Sequence, residues 1–383
     1  MLGYKEKPMK IEMVDLKNQY LKIQDQIDNA VLSVIKSANF VNGPEVELFS
    51  KNLSQYLDGA FVIPCANGTD ALQIAMMALD LKPGDEVIIP SFTYVATAEV
   101  IGLLQLKPVL VDVDPITFNI TPSNIEKAIG PKTKAIVPVH LFGQCADMEP
   151  IITLAKEKGL YVIEDTAQAI GAIYTFSDGS KRQAGTMGHI GCTSFFPSKN
   201  LGCYGDGGAI YTHDKELADR IKMIANHGQL KKYVHKYIGV NSRLDTIQAA
   251  ILDIKLQYLN QYCKARIAAA DFYDELLSDI AELQVPARVG NSSHVFHQYT
   301  LIIRNGKRDA LKVHLEKFGI PAMIYYPIPL NEQEAYRSIG TIVGSLEITK
   351  FLCKSVLSLP MHTELSESQQ RFIAKCIIDF FNS

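Results

Sequence analysis

The chain has 383 residues, of which 47% are apolar and 21% charged, and its formal net charge is −3 at pH 7. This composition is typical of a folded globular protein with a large core, and the near-neutral charge provides no overall field that would attract nucleic acid or an acidic membrane. No run of 18 apolar residues predicts a membrane span, and residues 5–10 form a short charged segment without the apolar core of a signal peptide. The seven cysteines are scattered and show no Cys-x-x-Cys spacing, so we expect free buried thiols and a cytoplasmic protein.

The first sixty residues predict two amphipathic helices, with a turn at Asn42-Gly-Pro44 that places proline at the first helical position. From residue 61 onward, short apolar runs alternate with helical stretches that begin near Thr69 and Tyr94. The near-continuous apolar runs lie at residues 61–65, 86–89, 108–112, 134–139 and 161–164. Such runs are typical of strands that are buried on both faces of a parallel sheet.

After residue 200 the alternation ends. The segments at 192–196 and 208–212 read as strands with no helix of crossover length between them, and helical periodicity then covers residues 245–277. A further strand is predicted at 299–303. We therefore predict an α/β protein with a large, mostly parallel domain at residues 1–255 and a smaller C-terminal α/β domain at residues 256–383.

A candidate anion site follows the first predicted strand. Asn67, Gly68, Thr69 and Asp70 open a helix, so free backbone N–H groups and the Thr69 hydroxyl would face a phosphate at the positive helix end. The alternative is that Thr69 is an ordinary helix N-cap.

Functional side chains also follow two later strands. Asp165 ends an apolar run and could pair with a protonated ring nitrogen, and Gln168 could reach a phenolic oxygen of the same ring if the backbone turns there. Tyr94 follows another strand end, where its ring could stack on a cofactor. The alternatives are a packing role for Tyr94 and a solvated loop amide for Gln168.

Lys199 lies between a hydroxyl-bearing turn and a run of glycines, 34 residues after Asp165. A lysine that forms a Schiff base needs a partly desolvated site that lowers its pKa, and glycines let the backbone approach a flat cofactor. Ser194, five residues earlier, could donate its hydroxyl to the phosphate of that cofactor. Lysine and carboxylate together predict a pyridoxal phosphate site.

Two further segments have competing interpretations. Asn241 and Arg243 precede the long helix, and Arg243 suits bidentate binding of a carboxylate or phosphate, unless a nearby acid pairs with it. His294 and His297 lack the helical spacing and carboxylate partners of a zinc site, so we predict no metal. The glycines after Lys199 precede a strand, which argues against a dinucleotide fingerprint.

Six segments in order carry a resemblance to a known family, and they lie at residues 65–72, 90–98, 143–148, 164–168, 194–202 and 239–245. On these segments the chain resembles the DegT/DnrJ/StrS pyridoxal phosphate sugar aminotransferases, which have the fold type I architecture of aspartate aminotransferase. The resemblance extends over nearly the whole length.

The resemblance implies a role for each matching residue. Lys199 would carry pyridoxal 5'-phosphate, Asp165 would pair with the ring nitrogen, Tyr94 would stack and Gln168 would contact the ring hydroxyl. Residues that would hold the phosphate are Gly68, Thr69, Ser194 and, from a neighbouring subunit, Asn241. A homodimer with shared active sites follows from that last contact.

The implied reaction is a ping-pong transamination with L-glutamate as donor and pyridoxamine 5'-phosphate as the intermediate cofactor form. The acceptor would be C3 of a nucleotide-linked keto sugar, UDP-2-acetamido-2-deoxy-3-oxo-glucuronate, in the synthesis of O-antigen or another bacterial surface polysaccharide. Arg243 would hold a carboxylate, and Tyr325 and Tyr326 would contact substrate. Tyr325 stands where the family often has histidine, so it brings a hydroxyl and no positive charge.

Three alternatives remain open. The substrate could be a dTDP-linked 3-keto-6-deoxy sugar or a 4-keto sugar, because the residues named do not determine the nucleotide or the position aminated. A sugar 3-dehydratase of the same fold would have histidine in place of Lys199. A non-catalytic sugar-nucleotide sensor would have no need for Lys199 and Asp165.

Overall fold

The computed structural model describes residues 10–382, so the charged segment noted at residues 5–10 lies outside the described residues apart from Lys10. Within this range the α-helices are α1 (Leu16–Lys22), α2 (Gln24–Ser37), α3 (Pro44–Tyr56), α4 (Gly68–Ala78), α5 (Ala96–Leu103), α6 (Pro122–Ala128), α7 (Met148–Lys158), α8 (Lys215–Ala225), α9 (Thr246–Leu277), α10 (Arg308–Lys317), α11 (Glu347–Ser355) and α12 (Glu367–Asn382). The strands are β1 (Phe61–Cys65), β2 (Glu86–Pro90), β3 (Lys107–Val111), β4 (Thr133–Ile136), β5 (Tyr161–Asp165), β6 (Ile173–Thr175), β7 (Lys181–Gln183), β8 (Ile190–Ser194), β9 (Gly208–Thr212), β10 (Gln229–Lys231), β11 (Val234–His235), β12 (Leu283–Gln284), β13 (Tyr299–Ile303), β14 (Thr341–Val343) and β15 (Val356–Leu359).

Eight strands form the main sheet, in the order β1-β9-β8-β5-β4-β2-β3-β14. Only β9 runs antiparallel to its neighbours β1 and β8, while the pairs from β8 across to β14 are parallel. The strands other than β9 therefore point in one direction. The predicted α/β class is confirmed, since the apolar runs that predicted strands fall on β1 to β5.

Helices cover both faces of this sheet. One face packs on an apolar cluster that includes residues of α4, α5 and α8, and the other packs on a cluster that includes residues of α3, α6, α7 and the first half of α9. Their side chains are almost fully buried, as expected for a sheet enclosed between helices. The helix layers cover the faces of the sheet but not the ends of its strands.

The C-terminal part has its own small sheet, in the order β12-β13-β15, which packs with α10, α12 and the second half of α9 on a third apolar cluster. Helix α9 passes through residue 255 without interruption, and β14 adds a C-terminal strand to the edge of the large sheet beside β3. The division at residue 255 stays a prediction.

Several helix starts differ from the sequence-based expectation. Three helices, α1 to α3, replace the two that were predicted before residue 60, and α5 begins at Ala96 after an irregular segment that contains Tyr94. Pro44 does occupy the first position of α3. No helix among residues 10–382 is long and apolar enough to cross a membrane.

Candidate active site

The predicted site residues gather at one edge of the sheet. Because β1, β2, β5 and β8 point the same way, their carboxyl ends lie at the same edge, where open α/β sheets bind ligands. Gly68 and Tyr94 follow the ends of β1 and β2, and Asp165 and Ser194 are the last residues of β5 and β8. Lys199 lies five residues beyond β8.

Lys199 is half-buried, and burial lowers the pKa of its amine to about 8, against the opposing effect of the Asp165 carboxylate. Within residues 10–382, no hydrogen bond or ion pair joins its Nζ to another group, while its backbone N–H donates to Phe196 O at 2.8 Å. Half of this amine is therefore neutral near pH 8, where an ordinary lysine is almost fully charged. A neutral amine is the form that acts as a nucleophile or base.

Asp165 is 7% exposed, and burial raises the pKa of its carboxyl above the ordinary value. Its Oδ1 accepts the N–H of Ala167 at 3.1 Å, and its Oδ2 accepts the hydroxyl of Thr97 at 3.2 Å. Each oxygen keeps a further lone pair. The carboxyl can therefore accept one more N–H donor, and a cation bound there would favour its ionised form.

The start of α4 has the free backbone N–H groups that an anion site needs, but its cap differs from the alternative considered for Thr69. Asn67, not Thr69, is the N-cap, because the Asn67 side chain accepts the N–H of Asp70 at 2.8 Å. The backbone N–H groups of Gly68 and Thr69 have no acceptor within the described part of the chain. Thr69 is thus free of the capping role that was its alternative interpretation.

Gly68 lies directly against Ser194. A Cβ added at Gly68 would come within 2.7 Å of Ser194 Cβ and 3.2 Å of its Cα, closer than side chains pack. The helix N-terminus and the Ser194 hydroxyl therefore face the same small volume. This contact supports a phosphate site between α4 and β8.

Aromatic side chains form one wall of the site. Tyr94 is 57% exposed, and its ring centroid lies 6.1 Å from that of Tyr326, which lies 6.1 Å from Phe92. Gln168 joins this wall, because its Oε1 accepts the N–H of Phe142 at 2.7 Å and its Nε2 donates to the Tyr326 hydroxyl at 3.1 Å. The Tyr325 ring lies 6.0 Å from that of Tyr326, and burial raises the pKa of both hydroxyls.

The segment before α9 is fixed to the anion site by a residue that the sequence did not single out. Ser242 is fully buried, and its Oγ accepts the N–H of Ala66 at 3.0 Å, next to Asn67. Asn241 on one side of it is exposed, and Arg243 on the other is half-buried. Among residues 10–382, no acid pairs with Arg243, so its alternative interpretation as half of an ion pair is wrong.

Two further buried side chains near Asp165 were not predicted from the sequence. His140 and Glu164 are both fully buried, and His140 Nε2 lies 2.8 Å from Glu164 Oε2. His140 Nδ1 accepts the N–H of Ala146, so the ring hydrogen is on Nε2 and is donated to Glu164. Glu164 also accepts the N–H groups of Gly185, Met187 and Gly188. The sequence signal that could have identified Glu164 is an acidic residue next to Asp165 in an otherwise apolar strand.

The glycines that follow Lys199 pack closely on neighbouring backbone. A Cβ on Gly202 would lie 2.3 Å from Pro197 O, and one on Gly208 would lie 2.5 Å from Asn67 C. These glycines let the loop fold tightly on itself and on the α4 start, and their approach to a cofactor stays a prediction.

The remaining candidates are the cysteines and the two histidines His294 and His297. All seven cysteines are free and buried. Burial lowers the pKa of His294 to about 3 and that of His297 well below its ordinary value, which keeps both rings neutral. Within residues 10–382 no group of three or more His, Cys, Asp or Glu side chains is placed to hold a metal ion.

A lysine amine that is half neutral near pH 8, a buried carboxyl beside it and an open helix N-terminus at one sheet edge are the parts that a pyridoxal phosphate enzyme needs. The residues present fit that cofactor. Gly68, Thr69 and Ser194 would donate hydrogen bonds to its phosphate, and a free lone pair of Asp165 would accept its ring N–H. The Lys199 amine would bond to its aldehyde carbon.

Comparisons with known proteins agree. The sequence profile of the DegT/DnrJ/EryC1/StrS aminotransferase family matches residues 21–378. The chain is 46% identical to the UDP-2-acetamido-2-deoxy-3-oxo-D-glucuronate aminotransferase of Pseudomonas aeruginosa, over 96% of this chain and 99% of that protein. It is 45% identical to a pleiotropic regulatory protein of Geobacillus stearothermophilus, over 97% and 99% of the two chains. It is 38% identical to the dTDP-3-amino-3,4,6-trideoxy-alpha-D-glucose transaminase of Streptomyces venezuelae, over 94% and 93%.

Solved structures extend the likeness to the whole fold. Streptomyces venezuelae DesV in complex with a ketimine intermediate matches with a TM-score of 0.93 and 36% identity, over 98% of this chain and 99% of that one. NtdA of Bacillus subtilis with its bound cofactor PMP matches with a TM-score of 0.88 and 31% identity, over 100% and 87%. The chain belongs to the DegT/DnrJ/EryC1/StrS aminotransferase family. It is a sugar aminotransferase of fold type I whose cofactor is pyridoxal phosphate, with pyridoxamine phosphate as its aminated form, as the sequence predicted.

Proposed function

We propose that this enzyme moves an amino group from L-glutamate to C3 of UDP-2-acetamido-2-deoxy-3-oxo-glucuronate by a ping-pong mechanism. The observation that carries the chemistry is the Lys199 amine, whose pKa burial lowers to about 8 beside the Asp165 carboxyl. The 46% identity to the Pseudomonas aeruginosa enzyme supports this sugar. The product would enter surface polysaccharide synthesis in the cytoplasm.

In this proposal the chain's residues divide the work. The N–H groups of Gly68 and Thr69 and the Ser194 hydroxyl bind the phosphate, and Asp165 accepts the ring N–H and keeps it protonated. The bound cofactor supplies an electron-withdrawing ring that makes the substrate carbon acidic. Lys199, once released, moves the proton at that carbon, a role worth on the order of 10² to 10⁴ in rate.

Gln168 and Tyr94 complete the cofactor site. Gln168 Nε2 donates one hydrogen to Tyr326, which leaves its second hydrogen for the ring hydroxyl. The exposed ring of Tyr94 offers a face for stacking. Tyr325 and Tyr326 would line the sugar side, where the Tyr325 hydroxyl forms a hydrogen bond in place of the charge of a histidine.

Arg243 would hold the carboxylate of the sugar. It has a guanidinium that no acid neutralises in the described part of the chain, and its neighbour Ser242 is hydrogen-bonded to Ala66 beside the anion site. We expect Arg243→Met to raise the KM for the 3-keto-glucuronate at least about tenfold, the loss of one charge-assisted hydrogen bond. The same variant should leave the glutamate half-reaction intact; loss of that half-reaction instead would place the glutamate carboxylate on Arg243.

A homodimer with shared sites would supply Asn241 from the second copy. Asn241 is exposed, and the neighbouring residues 229–238 expose apolar side chains, with Leu230 at 58%, Tyr233 at 83% and Ile238 at 89%. Such a surface is typical of an interface. Lys199→Ala chains should have no activity, and Asn241→Ala chains should have little at a pyridoxal phosphate concentration well below their raised Kd. At that concentration the two chains should regain about a quarter of wild-type activity after being mixed and reassembled, because one site per mixed dimer is intact. No recovery would contradict a shared site.

The substrate is tested by offering the glutamate-treated enzyme UDP- and dTDP-linked 3-keto and 4-keto sugars and following the return of the lysine-bound cofactor's absorption band. We expect UDP-3-keto-glucuronate to restore it fastest. Success with only a dTDP sugar would favour the alternative that the 38% identical transaminase represents.

A non-catalytic sensor is the second candidate function, and the relative named as a regulatory protein is the observation that favours it. A sensor of this kind would bind the sugar nucleotide without turnover. Lys199→Ala should abolish amino transfer, and sustained turnover by that variant would contradict the assignment of Lys199. A wild-type protein whose absorption spectrum does not change when glutamate is added would favour the sensor.

A further inference from the structure

The loop that carries Lys199 lies along α9 and runs antiparallel to it. Alternate residues of the loop contact the helix at positions about two turns apart. In order, the contacting pairs are Asn200 with Cys263, Gly202 with Lys255, and Tyr204 with Gln248. Side chains seven or eight residues apart lie on the same side of a helix, so one side of α9 holds three successive points of the loop.

Lys255 makes the middle contact, and it is unusual for a lysine. It is 1% exposed, its Nζ donates to Gly202 O, and no carboxylate pairs with it among the described residues. Its Nζ also lies 5.2 Å from the centroid of the Tyr204 ring. Burial lowers the pKa of Lys255 to about 8, so holding an amine here costs free energy that a Met or Leu would not. A direct bond to the loop backbone is what the lysine adds in return.

Gln248 makes the third contact with both ends of its amide. Its Oε1 accepts the N–H of Tyr204 at 2.8 Å, and its Nε2 donates to the carbonyl of the same residue at 3.3 Å. A side-chain amide that bonds to both polar groups of one residue fixes that residue's position and orientation.

The same loop is closed on the other side of Lys199. Gly202 packs so tightly on the carbonyl of Pro197 that an added Cβ would lie 2.3 Å away. The segment from Pro197 to Gly202 is therefore a closed turn with Lys199 at its centre, and α9 holds its far end. A change in the shape of this turn would therefore move the Lys199 side chain and alter the burial of its amine.

We infer that Lys255 and Gln248 are positioning residues, which hold residues 202–204 on α9 and thereby keep the Lys199 amine at its buried position. The inference rests on the proposed role of Lys199 as the residue that bears the cofactor. Neither side chain touches the site itself, since both act through backbone groups of the loop.

The test measures Lys199 directly. Full-length, cofactor-free protein is labelled with formaldehyde and cyanoborohydride between pH 6 and 10, and mass spectrometry follows methylation of the peptide that contains Lys199. Wild type should give an apparent pKa of about 8. Lys255→Met and Gln248→Met should each raise it by about one unit, so that labelling at pH 8 slows about fivefold. Lys264→Met, which changes an exposed lysine of the same helix, should match wild type.

An unchanged Lys199 pKa in folded Lys255→Met and Gln248→Met proteins, within about 0.3 unit, overturns the inference even if their stability falls. Should one variant not fold, as judged by thermal melting, the other decides. A different result would contradict the proposed function. If Lys199→Ala retained turnover while the two variants still shifted the Lys199 pKa, α9 would position this lysine but the cofactor would be bound elsewhere.

Discussion

Replacement of Gly68 by alanine tests the phosphate site most sharply, because the structure predicts the size of the effect. The added Cβ would meet Ser194 Cβ at 2.7 Å and Ser194 Cα at 3.2 Å, and neither atom is the end of a flexible side chain. The start of α4 and the end of β8 must therefore separate. Overpacking of this kind costs roughly 1–3 kcal/mol, against which alanine gains at most about 1 kcal/mol from its helix propensity.

The separation also weakens cofactor binding. Loss of one charge-assisted hydrogen bond between the phosphate and either Ser194 or the α4 N–H groups costs about 1.5–3 kcal/mol. That corresponds to a Kd for pyridoxal phosphate about 10- to 100-fold higher. The Kd is measured by titrating cofactor-free protein with pyridoxal phosphate and following the absorption of the lysine-bound form.

Gly290→Ala is the matched control, because no atom lies within 4 Å of the position that its Cβ would take. We expect this variant to bind the cofactor as wild type does. A Gly68→Ala protein with wild-type affinity would refute the placement of the phosphate between α4 and Ser194. Weak binding by both variants would show that the effect has nothing to do with the Ser194 contact.

Two other substitutions probe the carboxyls. Asp165→Asn keeps the acceptor for the Ala167 N–H but removes the charge that raises the Lys199 pKa. Methylation at varied pH should therefore give a Lys199 pKa below about 8, and turnover should fall on the order of 10² to 10⁴. A higher Lys199 pKa would contradict the proximity of the two groups. Glu164→Gln leaves one or more buried N–H donors without an acceptor. Urea unfolding should show a free energy of unfolding lower by about 2–5 kcal/mol. The control Glu157→Gln, at an exposed position, should leave this free energy unchanged. Equal stability of the two variants would show that the Glu164 network contributes nothing.

Much of the fold was predictable because β1 to β5 lie on near-continuous apolar runs. Burial on both faces removes the alternation that would otherwise confuse strand with helix, so β1 to β5 fell where the apolar runs lie. The edge strand β14 had no such signal. Its three residues are half-buried or exposed, and it pairs with β3 only because the C-terminal chain returns to the sheet edge.

The site residues that the sequence could identify are those whose side chains, taken together, suggest one kind of chemistry. Lys199 and Asp165 belong to that class, since an amine and a strand-end carboxyl at this spacing suggest few other cofactors. The alternative that Thr69 caps α4 was wrong, and the sequence could not exclude it because asparagine and threonine are both good N-caps. Lys255 could not be found in the sequence, because its partner is a backbone carbonyl that any residue provides.

The central claim is that Lys199 bears the cofactor, and trapping that bond tests it most directly. Treatment of the holoenzyme with borohydride, followed by digestion and mass spectrometry, should place the reduced cofactor on the peptide that contains Lys199. Lys255 is the informative competitor, because its pKa is also lowered to about 8 by burial and it lies beside the same loop. Cofactor on Lys255 or on any other lysine, with Lys199 unmodified, would contradict the account.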